Sequence, residues 1–152
     1  MNQRLWTTGT DPRQSRGGHA PAVGAAAHGG HMNTAMTRAE IGALGEQLAT
    51  DYLIASGLII LARNWRCRWG ELDVIARDGD SVVFVEVKTR TSDHFGGVEQ
   101  AVTPAKVRRL RRLAGVWLAG QPHHWSGVRL DVLGVRLRDE QPELIHLKAV
   151  GG

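Results

Sequence analysis

The stretch Ser81–Arg90, SVVFVEVKTR, constrains the chain more than any other. Its valines around Phe84 predict a buried β-strand. Side chains alternate along a strand, so Glu86 and Lys88 share one face while Val83, Val85 and Val87 line the other. A carboxylate and an amine at the end of an apolar strand have two readings. One is a cross-strand ion pair on a solvated face. The other is a metal ligand with a lysine beside it.

The preceding residues bear on that choice. Residues 71–77, ELDVIAR, alternate as a strand, and Asp78-Gly79-Asp80 carries a strong hairpin signal. Antiparallel pairing across this turn brings Asp73 within a residue or so of opposite Glu86. Two like charges facing each other destabilise a sheet unless a cation lies between them. Carboxylates are the ligands that Mg²⁺ prefers, typically one or two per ion with waters filling the shell. Lys88 beside such an ion would orient or deprotonate a water, or steady charge building on a phosphate. Glu71 shares a face with Asp73 and is a second candidate ligand.

The rest of the chain builds a frame for these residues. Thr37-Arg38-Ala39-Glu40 has capping-box spacing. A helix follows to about Ser56, where Gly57 is a natural stop. Ile41, Leu44, Leu48 and Tyr52 form an apolar stripe, and Gly42, Gly45 and Ala49 form an adjoining strip of small residues suited to close approach to a sheet. Glu46 lies on the edge of that strip and can look along the sheet surface. Residues 58–66 read as a first strand, 71–77 as a second and 81–89 as a third. Thr103-Pro104 starts a second helix that ends at Gly120. Its apolar stripe is Val107, Leu110, Leu113, Ala114, Trp117 and Leu118, and Lys106, Arg108, Arg109, Arg111 and Arg112 occupy its other faces. Residues 128–136 and 143–149 read as two further strands. The order α-β-β-β-α-β-β implies an α/β fold, a mixed β-sheet flanked by helices, with the strand after the crossover helix parallel to its neighbour.

The chain of 152 residues suits one domain, spanning 36–150. Residues 1–35 are rich in Gly, Ala and His without an apolar period, and are expected to be a disordered tail. Cys67 stands alone and forms no internal disulfide, which suits a reducing cytoplasm. No apolar run approaches the roughly 20 residues of a membrane span. A net charge of +4 is compatible with a nucleic-acid partner. Arg66 and Arg90 flank the acidic group in sequence, while Lys106, Arg109 and Arg112 offer a helical phosphate footprint. Trp65 and Trp69 interleave the arginines near the first hairpin, which suits base stacking or a place in the core. Asp131 follows Arg129 closely and reads as its structural partner. His94, His123 and His124 lack zinc spacing and read as solvated. Neither a Gly-rich phosphate loop nor a serine triad occurs.

Asp73 followed by Glu86-Val87-Lys88 resembles the PD-(D/E)xK signature of the restriction-endonuclease-like superfamily, with Leu72 where that signature has proline. The ordered set Gly45-Glu46, Arg63-Asn64-Trp65-Arg66, Gly70-Glu71-Leu72-Asp73, Phe84 to Arg90, Ala101-Val102-Thr103 and Arg129-Leu130-Asp131-Val132 resembles the narrower YraN family, bacterial predicted nucleases similar to archaeal Holliday-junction resolvases. The resemblance implies a restriction-endonuclease-like sheet with Mg²⁺ or Mn²⁺ at its forked end. Asp73 and Glu86 would be ligands with the Val87 carbonyl, Lys88 the catalytic lysine and Glu46 an auxiliary acid. It further implies a metal-dependent DNA endonuclease acting on branched DNA in recombination or repair, with a homodimer and a repair protein as compatible partners. The alternative is a non-catalytic nucleic-acid-binding or scaffold protein on a nuclease fold.

Overall fold

The computed structural model describes the backbone of Asn2–Trp6 and residues 35–92 and 97–152. Its elements are β1 (Asn2–Trp6), α1 (Arg38–Ala55), β2 (Ile59–Cys67), β3 (Gly70–Asp78), β4 (Ser81–Arg90), a short 3₁₀ turn (Val98–Ala101), α2 (Pro104–Ala119), β5 (Gly127–Arg136) and β6 (Glu143–Leu147). From β2 onward β4 pairs antiparallel with β3 and parallel with β5, so the sheet is mixed as expected. The helices start where the sequence places them. Thr37 accepts from the Glu40 amide while Glu40 accepts from the Thr37 amide, closing the capping box. Thr103 caps α2, and Pro104 opens it.

The sheet runs β1-β6-β5-β4-β3-β2 and has a helix on each face. Ala49 and Leu53 of α1 pack on Val74, Val83, Val85 and Leu133. Val107, Leu110 and Leu113 of α2 pack on Leu72, Ile75, Phe84 and Leu130 on the opposite face. Val83, Val85 and Val87 therefore do share a face, the one under α1.

Two features depart from the expectations. The deepest face of α1 is the small-residue strip, with Gly45 and Ala49 buried, whereas Leu44 of the apolar stripe is 38% exposed. A Cβ on Gly45 would run into the side chain of Thr89 on β4, so the missing side chain sets the distance between helix and sheet. The second departure is β1. Asn2–Trp6 belongs to the stretch expected to be disordered, yet it pairs antiparallel with β6 as a sixth strand. An open sheet edge recruits extended chain through main-chain hydrogen bonds, which require no apolar pattern. The remainder of that tail up to residue 34, that is residue 1 and residues 7–34, and His94 lie outside the described residues.

Candidate functional site

The site forms where the sheet forks. The β3–β4 ladder runs from Asp78↔Ser81 to Val74↔Val85 and stops. The β2–β3 ladder continues to Cys67↔Gly70, and the β4–β5 ladder to Arg90↔Arg136. Past Val74, β3 therefore stays with β2 while β4 stays with β5. Asp73 and Glu86 are the next opposed residues, so the hairpin register places them on the two lips of the fork. The Val87 amide, left without a ladder partner there, donates to Asp73 Oδ2 at 2.8 Å.

Glu86 is buried and held by cations. Lys88 Nζ lies 3.1 Å from its Oε1. Arg109 of α2 places Nη2 3.2 Å from Oε1 and 3.3 Å from Oε2. Glu86 and Lys88 thus share the α2 face, as strand alternation requires. Glu46 of α1 approaches from the other layer. It lines an open cleft of about 640 Å³ with Gly42, Val87, Lys88 and Thr89.

The fork concentrates negative charge. Burial, with Glu86, Glu46 and Glu71 pushing in the same direction, raises the Asp73 carboxyl to about 6 against the pull of the Val87 hydrogen bond. Among the described residues, no cationic side chain is bonded to Asp73. Glu71, the second candidate ligand, instead pairs with Arg66 at 2.9 Å.

Asp73 and Glu86 are the two carboxylates that could hold a hard divalent ion of the magnesium class here. They offer carboxylate oxygens from opposite lips, and such ions take one or two carboxylates with waters completing the shell. Among the described residues no three His, Cys, Asp or Glu side chains gather closely enough to hold an ion by themselves. Val87, whose carbonyl is the expected third ligand, has its amide engaged with Asp73.

The basic residues divide. Arg109 sits at the site, on Glu86. Lys106 and Arg112 stand one turn to either side of it on α2. Arg90 borders the cleft. Arg66 is largely exposed and, among the described residues, pairs with Glu71. Trp65 packs against the core under α2, while Trp69 at the β2–β3 turn is 42% exposed. The guanidinium carbons of Arg68 and Arg112 lie 4.5 and 5.2 Å from the Trp69 ring centre. That turn is docked on α2 through Gly70, whose φ of +142° favours glycine and whose Cα faces Leu113 and Arg109.

Sequence reasoning missed two contacts. The Arg109–Glu86 pair joins residues on separate elements, and its only signal was the spacing of the basic helix. The second lies away from the fork. Asp131, wholly buried, accepts from Arg129 Nε and Nη2 and from the Ala149 amide, and lies 2.7 Å from His146 Nε2. Arg129 also reaches Asp78 at 3.0 Å. The Arg129 pairing was legible from sequence; His146 was not.

Among the described residues, no helix is long and apolar enough to cross a membrane. Residues 45–135 match the uncharacterised protein family UPF0102. A UPF0102 protein of Mycolicibacterium vanbaalenii is 70% identical over 120 residues, covering 78% of this chain and 99% of its own. One from Mycobacterium sp. strain JLS is 65% identical over 120 residues, covering 77% and 89%. One from Mycolicibacterium gilvum is 63% identical over 123 residues, covering 79% and 100%. A chain that carries the family's span from Gly45 in α1 to Val135 in β5, and matches nearly the whole of these relatives, belongs to the UPF0102 family.

Proposed function

We propose that the protein is a metal-dependent endonuclease that hydrolyses phosphodiester bonds of DNA in the cytoplasm, with branched recombination or repair intermediates as substrate. The observation that carries this reading is the fork: the hairpin register sets Asp73 opposite Glu86, with Lys88 3.1 Å from Glu86. The resemblance of Asp73, Glu86 and Lys88 to the PD-(D/E)xK pattern, and of the wider set to the YraN family, supports it.

Asp73 and Glu86 would hold Mg²⁺ or Mn²⁺, which when bound supplies a polarised phosphate and a more acidic water. The chain's own residues do the remainder. Lys88, fixed by Glu86, presents its ammonium where a phosphate would enter and offsets charge growing on the phosphoryl oxygens. Glu46 faces the same cleft from α1 and can accept a proton from the attacking water. Arg66, Arg90, Lys106, Arg109 and Arg112 would bind the backbone on either side. Water gives a proton to Glu46 as its oxygen adds to phosphorus, the bond from phosphorus to one sugar oxygen breaks, and that oxygen takes up a proton from solvent water.

The test is cleavage of labelled duplex, single-strand, flap and four-way-junction DNA in Mg²⁺ and in Mn²⁺. Glu86→Gln is expected to lower cutting by at least about 100-fold, the scale of losing one preorganised electrostatic group, with the thermal melt retained. A Glu86→Gln protein that cuts like the wild type would sink the site.

A second reading, a non-catalytic nucleic-acid-binding or scaffold protein, is favoured by one observation: Glu86 is already neutralised by Lys88 and Arg109. On that reading DNA binding survives chelation and no substrate is cut in either metal.

A further inference from the structure

We propose that Arg109 is an exchange residue that keeps Glu86 closed to a divalent cation until a nucleic-acid phosphate draws its guanidinium away, so that metal and nucleic acid bind cooperatively. The inference rests on the nuclease reading above and adds the regulation of that site.

One guanidinium nitrogen of Arg109 spans both oxygens of Glu86, at 3.2 and 3.3 Å. The Glu86 side chain is only 9% exposed, so few waters compete for it. A guanidinium does not deprotonate in proteins, so this positive charge leaves the carboxylate only by moving. Arg109 can move: its side chain is 42% exposed and reaches Glu86 from the surface of α2. A phosphate arriving along α2 meets Lys106, Arg109 and Arg112 at successive turns of one face. A guanidinium pairs with phosphate as well as with carboxylate, in the same forked geometry. Phosphate and Glu86 therefore compete for Arg109.

The consequence is set by Asp73 across the fork. Among the described residues its carboxylate has a hydrogen bond only from the Val87 amide and no cation. With Arg109 on Glu86, the fork offers a cation one free carboxylate. With Arg109 on phosphate, it offers two, with Lys88 alone left to balance them. A hard divalent cation gains most from the second arrangement. By linkage the coupling is reciprocal, so the cation strengthens nucleic-acid binding by the same factor.

The experiment titrates Mn²⁺ into the full chain and follows free Mn²⁺ by electron paramagnetic resonance. It is run with and without a phosphorothioate four-way junction, with binding to the junction alone subtracted. The wild type is expected to bind Mn²⁺ about 5- to 150-fold more tightly with the junction present, the usual range of such couplings. Arg109→Gln should show most of that gain without DNA, and DNA should then add less than about twofold. Arg108→Gln, which removes a charge from an exposed position of the same helix, should match the wild type. An Arg109→Gln protein with wild-type affinity overturns the inference, as does an equal gain in Arg108→Gln, which would make the effect one of bulk charge. Should Arg109→Gln fail to fold, the wild type decides alone: no tightening with the junction overturns the exchange. Mn²⁺ binding that Glu86→Gln abolishes but Arg109→Gln leaves unchanged defeats the exchange and spares the nuclease reading. No Mn²⁺ binding under any condition defeats both.

Discussion

Asp73, half-buried, and Asp131, wholly buried, are carboxylates with opposite consequences for stability. Burial, reinforced by Glu86, Glu46 and Glu71, raises the Asp73 carboxyl from 3.8 to about 6. Its folded value lies above its unfolded one, so its contribution to stability is complete below the unfolded value and is lost as pH rises through about 6. In metal-free buffer Asp73→Asn should therefore raise stability at pH 7.5 by about 1–3 kcal/mol, with little change near pH 4, as read from urea midpoints. A variant no more stable than the wild type at pH 7.5 would show that the fork tolerates its charge. Asp131 behaves in the reverse sense. Burial pushes its carboxyl up, but hydrogen bonds from His146, Arg129 and the Ala149 amide outweigh that and hold it below the ordinary carboxylate range. Its contribution is present above the unfolded value and lost as pH falls through the lowered folded one. Asp131→Asn leaves Arg129 and His146 without their shared anion, and should cost about 3–5 kcal/mol at pH 7 by denaturant melting, the range for breaking a buried ion pair.

At the scale of elements, α1 is held by what its sequence lacks. Gly45 lets the helix backbone approach β4, with Thr89 filling the space a side chain would take. Glycine costs a helix interior about 1 kcal/mol, offset here by the contacts of Ala49 and Leu53 with the sheet. The close approach also brings Glu46, the next residue, to the cleft that it lines with Val87 and Lys88. Gly45→Val should cost about 1–3 kcal/mol by overpacking, seen as a lowered urea midpoint, and should also impair whatever Glu46 does at the cleft. Thr89→Ala in the same chain should recover part of that stability; a double variant no better than Gly45→Val would place the conflict elsewhere.

Across the whole molecule, the two helices bring charges of opposite sign to one fork. α2 carries its basic row to the face where Glu86 emerges, and α1 carries Glu46 to the face where Val87 lies. The proposed DNA contacts should give a steep salt dependence. Substituting both Lys106 and Arg112 by Gln should reduce the slope of log affinity against log salt by about 2. Fluorescence anisotropy between 50 and 200 mM salt, roughly the window over which such contacts weaken most, reads this out. An unchanged slope would remove α2 from the interface. Much of this architecture was legible in the sequence. Thr37, Glu40, Thr103 and Pro104 mark both helix starts, and the Asp78-Gly79-Asp80 turn fixes the hairpin register and with it the opposition of Asp73 to Glu86. Alternation fixes the shared face of Glu86 and Lys88. All of these depend on neighbours within a turn or a hairpin, where periodicity and turn chemistry act on short stretches of chain. Only the tertiary structure decided that Arg109 closes on Glu86, that His146 joins Asp131, that α1 buries its smallest residues and that Asn2–Trp6 adds to β6. Those contacts join segments distant in the chain, and which partners meet there is set by the packing of helices on the sheet and by main-chain bonding at an open edge, neither of which leaves a local pattern.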